Sequence, residues 1–221
     1  MVSPFPARFG LIWTRRPRMA GYVATVEKLI AEFGRLPGVG AKTAERLAHH
    51  ILKVPAEEAL ALAEAIRQAK QRVGYCPICH NLVESDHELC AICRDPRRDH
   101  GIICVVEQCR DLMALESAGT YQGVYHVLHG RLAPLQGISA EHLTLESLER
   151  RMRSGTVREV ILATNPNLEG DGTALWISQH LGGLGVPITK LARGLASGST
   201  LEFANKEMLV DALNGRQAFH P

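Results

Sequence analysis

The 221-residue chain has almost no net charge: 25 basic against 23 acidic side chains leave a formal +2. Whole-protein electrostatics therefore cannot steer it toward nucleic acid, and any such binding must come from a local patch. Long apolar runs are missing too. None approaches a membrane span, and the opening FGLIW stretch is too short for the core of a signal peptide. A cytoplasmic, reducing location follows, with no membrane partner. No internal repeat or low-complexity tract is present. Cysteines number only six, yet four of them, Cys76, Cys79, Cys90 and Cys93, fall in the pattern C-x2-C-x10-C-x2-C.

Without an export signal, that spacing points to metal ligation and away from disulfides. Two residues between paired cysteines let both thiolates reach one ion, and two pairs complete the closed tetrahedral shell of structural Zn2+. Such a shell leaves no open position for water, so zinc catalysis is not expected there. Pro77 suits the first turn, Ile78 and Ile92 supply apolar cover, and polar HNLVESDHE fills an intervening hairpin. His80 and His87, rival ligands in principle, read as solvated hairpin residues. Cys104 and Cys109 lack ligand spacing and read as a core residue and an ordinary thiol. His126 and His129 read as packing residues.

Residues 1–18 carry Arg8, Arg15, Arg16, Arg18 and no acid, without helical periodicity. They read as a disordered extension outside the fold, either an organelle transit peptide or, the preferred reading, an upstream start with Met19 as the true beginning. The remaining chain is slightly acidic. Val23, Val26, Leu29, Ile30 and Phe33 predict one helix over 22–33, and Ala44, Leu47, Ala48, Ile51 and Leu52 a second over 41–52. LPGVG between them permits a sharp turn. A third helix is expected over about 55–73, opened by Pro55 with Glu57 and Glu58 at its positive end.

Beyond the knot the pattern alternates. Strands are expected at 102–106, within GVYHVLHG, at 159–165 and at 188–192; helices fall at DLMALESAG, 143–155, 173–185 and 201–214. That order implies a mostly parallel sheet covered on both faces.

Two constellations then carry chemistry. Between residues 28 and 53 five basic residues face two acidic ones, and Lys42 and Arg46 sit on a helix whose start follows the glycine turn, a place suited to a phosphate. LPGVGAKTAERLA resembles the helix-hairpin-helix motif, which implies sequence-independent, salt-sensitive DNA binding. Glu107 directly follows strand IICVV, while Glu169 and Asp171 are expected in the loop after EVILAT, at one carboxyl edge of the sheet. Glu107 with a distant acid-x-acid pair resembles the Toprim domain of topoisomerases and primases, and such a trio can hold Mg2+. A solvated acidic loop is the equal alternative. No tyrosine or lysine nucleophile is identifiable.

The fold class expected is therefore multidomain α/β: an N-terminal helix-hairpin-helix domain (19–74), a small four-cysteine zinc motif (75–97), a Toprim-like parallel α/β sheet domain (98–192) and a C-terminal helical segment (193–221). In order, LPGVGAKTAERLA, the cysteine knot, ATNPNLEGDGTA and LARGLASGSTLEFAN closely resemble the RecR family of bacterial recombination mediators over about residues 20–215. The resemblance implies a homo-oligomer, a ring-shaped tetramer, that binds or encircles DNA. It implies action with RecO and RecF in the RecF pathway, helping RecA replace single-strand-binding protein during repair of gaps and breaks. By the same resemblance the protein is no nuclease or ATPase, is nucleoid-associated when bound to DNA, contacts DNA through Lys42 and Arg46, and uses Glu107, Glu169 and Asp171 for partners or metal. It also makes 193–221 an oligomerisation segment. This chain departs from the family's LARGLPVGSDLEYAD at Ala196, Ser197, Thr200 and Asn205, and from HVLGG-x-LSPLDG at His129 and Gln136. The rival reading is an Mg2+-dependent Toprim enzyme that cleaves or joins nucleic acid.

Overall fold

Small residues decide how closely the first two helices approach. In the computed structural model, which describes residues 21–218, helices α1 (Ala24–Phe33) and α2 (Ala41–Lys53) form a hairpin. It closes on Ile30, Ala44 and Ala48, with Val26, Leu29, Phe33 and Val39 around them. Tyr22 ties the entry to α2 by donating to Glu45 at 2.5 Å, beside His49 Nε2 at 2.9 Å. Helix α3 (Ala56–Arg72) follows, with Glu57 and Glu58 in its first turn as expected from the macrodipole. The chain divides between Arg67 and Gln68 into two compact units. The extension expected at residues 1–18 lies outside the described residues.

The second unit opens with a two-stranded antiparallel ribbon, β1 (Val73–Tyr75) and β2 (Leu82–Glu84), flanking the first cysteine pair. The hairpin thus encloses Cys76 and Cys79, whereas sequence reasoning put it between the two pairs. One short turn of helix, α4 (Ala91–Arg94), carries the second pair.

A four-stranded parallel sheet forms the body, in the order β4 (Gly123–Val127), β3 (Asp99–Val106), β5 (Glu159–Leu162), β6 (Ile188–Lys190). Alternation along β3 splits the core. Ile103 and Val105 face a cluster with α6 (Leu145–Met152) and α7 (Leu168–Leu181) through Leu145, Leu148, Ile177 and Leu181. Cys104 and Val106 face the other side, with Leu112 of α5 (Cys109–Ser117) and Tyr125. All five residues of β4 are buried although it is an edge strand. A terminal helix α8 (Lys206–Asn214) is capped by Asn205 and preceded by a separate 3-10 turn, Leu201–Phe203, so the single helix expected over 201–214 is broken. Among the described residues no helix is long and apolar enough to cross a membrane.

Candidate nucleic-acid interface and metal centre

The LPGVG turn is built from two backbone bonds, Leu36 N–H to Phe33 O and Val39 N–H to Leu36 O, both 3.1 Å, with Gly38 at φ +80°. An L-side chain rarely adopts that conformation. Gly40 then occupies the N-cap of α2 and has no side chain to cap it; the first turn contains no acid. The N–H groups of Ala41, Lys42 and Thr43 precede the first helical bond, Ala44 N–H to Gly40 O, and remain available to an outside acceptor. Lys42 and Arg46 are exposed one turn apart on this helix. Among the described residues neither pairs with an acid, whereas Arg35 of the same basic cluster is committed to Glu32 at 3.0 Å. The free surplus is therefore concentrated on α2.

At the knot, the Sγ atoms of Cys76, Cys79, Cys90 and Cys93 lie within 4.8 Å of one another, and all four residues are buried. Matching N–H to sulfur contacts of 3.5 Å, from Asn81 to Cys79 and from Cys93 to Cys90, shape the two halves. The hydrogen bond shared by Cys79 and Cys90 pushes the Cys79 thiol up and holds Cys90 low. Four thiolates can coexist here only around a cation. A buried, all-sulfur, four-donor set suits tetrahedral Zn2+. Ile92 joins the knot to both faces of the sheet, while Ile78, expected as cover, is 39% exposed.

The acidic edge differs from the expectation in one respect: Glu169 and Asp171 stand in the first turn of α7, not in a loop. Asn167 starts that helix five residues early by accepting from Gly170 N–H at 2.8 Å. Glu107, only 2% exposed, follows β3 where the connections leaving adjacent β3 and β5 run in opposite directions, to β4 and to β6, and its Oε1 accepts from Asn165 N–H at 2.7 Å. A Cβ on Gly170 would overlap the Asn165 carbonyl and stand 2.8 Å from Glu107 Oε1. Only glycine brings α7 so near. Sequence reasoning missed the two arginines that answer the outer acids. Arg131 pairs with Glu169 at 3.2 Å, and Arg193 grips Asp171 with two bonds of 2.9 and 2.5 Å, holding that carboxyl below its ordinary value. The trio shares an edge, but its oxygens form no group within 4.8 Å; among the described residues the cysteines alone do so.

Three family models match in the same order as these sites: the RecR helix-hairpin-helix over residues 26–70, the RecR four-cysteine zinc finger domain over 73–95 and the Toprim domain over 101–192. The Recombination protein RecR of Rhodopirellula baltica is 53% identical over 199 residues, covering 90% of this chain and 99% of that one. That of Chloroflexus aurantiacus is 52% identical over 194 residues, 88% and 94% of the two chains, and that of Moorella thermoacetica 50% over 195, 88% and 97%. The chain belongs to the RecR family.

Its departures from the RecR-like motifs have structural consequences. His129, where the motif has glycine, sits at φ +60°, as does His80. Tyr75 packs on His129 with ring centroids 4.3 Å apart, and His80 lies edge-on to His126 at 5.2 Å. His80 is thus half-buried in an aromatic cluster, not solvated as its polar neighbourhood indicated, while His87 is exposed. His126 is fully buried; burial pulls its pKa down to about 3, so it is neutral, with Nε2 3.0 Å from Thr144 Oγ1. Cys104 is buried and pushed up to about 12, and Cys109 donates to His80 O at 3.8 Å, tying α5 to the knot.

Proposed function

We propose that this RecR-family protein is a non-catalytic DNA-binding adaptor of the RecF pathway, working with RecO and RecF to help RecA replace single-strand-binding protein at gaps and breaks. The observation that carries the reading is the start of α2: a positive helix end with no side-chain cap, beside Lys42 and Arg46, which pair with no acid among the described residues. Phosphate oxygens are the ligand such a surface suits, so binding is independent of base sequence. Structural Zn2+ on Cys76, Cys79, Cys90 and Cys93 holds the small middle motif together. The sheet unit, with its acidic edge at Glu107, Glu169 and Asp171, presents partner contacts, and residues 193–221 join subunits of a ring-shaped tetramer in the cytoplasm, on the nucleoid when DNA is bound.

A second reading, Mg2+-dependent cleavage or joining of nucleic acid, has in its favour Glu107 at the sheet's switch point beside two further acids. The arginines gripping Glu169 and Asp171 weigh against it, because a cation there must first displace them.

The test is a reconstitution on gapped DNA coated with single-strand-binding protein. With RecO, RecF and RecA present, adding this protein should shorten the lag before RecA filaments form. An unchanged lag at every concentration contradicts the adaptor role.

A further inference from the structure

A Zn2+ ion held by four thiolates carries a formal charge of roughly −2. Burying that charge needs compensation beyond two backbone N–H to sulfur contacts. A positive group should therefore stand near the knot without a carboxylate of its own.

Among the described residues one half-buried arginine meets the requirement. Arg151, in the last turn of α6, is half-buried. Of the other half-buried arginines, Arg98 faces Glu116, Arg131 faces Glu169 and Arg193 faces Asp171. Among the described residues Arg151 faces no acid. Its Nη1 donates to Tyr125 O at 2.7 Å and lies 3.3 Å from His126 Nδ1. Two residues along the same strand, Val127 N–H donates to Cys79 O at 2.8 Å. Residues i and i+2 of a strand direct their backbone groups to the same side. Arg151 and the knot therefore meet the same open edge of β4, two residues apart. A groove lined by Pro77, Ile78, Arg150 and Arg151 marks the seam between them.

We infer that Arg151 is the counter-charge of the metal–tetrathiolate, a positioning residue that couples metal loading to the sheet edge. Burial pulls the Arg151 pKa below the ordinary arginine value, and Cys93, Cys79 and Cys76 lead the groups that oppose that pull. The inference rests on the zinc reading above. It adds a consequence: with its charge removed, the knot should hold zinc more weakly and its thiolates should react faster, even where the fold is intact.

Zinc content of the purified wild-type chain tests the zinc reading first; a zinc-free, fully folded wild type overturns both that reading and this one. Full-length Arg151→Gln keeps a donor for Tyr125 O but loses the charge, while Arg151→Lys keeps the charge without the planar fork. Arg151→Met is the second charge-free variant should the glutamine form fail to fold. Zinc affinity is read by competition with a chromophoric chelator, and thiolate reactivity by alkylation of the zinc-loaded protein. Losing a group that supports the ligands of a metal typically changes its affinity by about 10–100-fold. The expected result is a loss of at least about tenfold, with faster alkylation, in the glutamine or methionine form, and a lysine form within about threefold of wild type. Equal losses in the charged and uncharged variants, no loss in either, or a loss confined to the lysine form would each overturn the inference.

Discussion

Replacing Lys42 and Arg46 together by alanine isolates the DNA grip. Both side chains are exposed on α2 and paired with no acid among the described residues, so their loss should change folding stability by less than about 0.5 kcal/mol. Each phosphate contact on duplex DNA contributes about 0.9 to the slope of log affinity against log salt, so two lost contacts flatten it by about 1.8 per engaged hairpin. Between 50 and 200 mM salt, that flattening spares the variant about a twelvefold fall in affinity that the wild type suffers. Fluorescence anisotropy with labelled duplexes of unrelated sequence measures both quantities. At low salt the variant should bind every duplex more weakly by a similar factor, because phosphates carry no sequence information. A slope equal to the wild type's would remove the hairpin from the interface, and a loss confined to one sequence would mean base readout.

Cys79→Ser should abolish zinc retention and lower thermal stability, because a closed metal site contributes folding energy directly; a zinc-loaded variant melting with the wild type contradicts the knot. At the acidic edge, Glu107→Gln keeps an acceptor for Asn165 N–H, whereas Glu107→Ala orphans it. Urea unfolding should show a cost of about 1–3 kcal/mol for alanine and clearly less for glutamine, and equal costs would deny that bond a structural role. Gly170→Ala drives a methyl into the Asn165 carbonyl and should destabilise by about 1–3 kcal/mol; unchanged unfolding would mean α7 moves away freely.

Local signals were legible and long-range ones were not. The hairpin and the knot announced themselves because apolar spacing and cysteine spacing act over a few residues. The start of α7 did not, because Pro166, Gly170 and Gly172 read as loop residues. In the structure Asn167 caps the helix, and Gly170 is accepted there in exchange for contact with Asn165 and Glu107. Arg131 and Arg193 reach their acids across 38 and 22 residues, a pairing no periodicity encodes. The folds at His80 and His129 were hidden for the opposite reason. Positive φ is expected of glycine, so a histidine there gives no warning.

The central claim, binding without cutting, is tested most directly by incubating the purified protein with end-labelled gapped duplex DNA and Mg2+. The same samples are then run on native and denaturing gels. Shifted DNA whose strands remain intact is the result expected of an adaptor; Mg2+-dependent cutting that disappears in Glu107→Gln would contradict it and establish the enzyme.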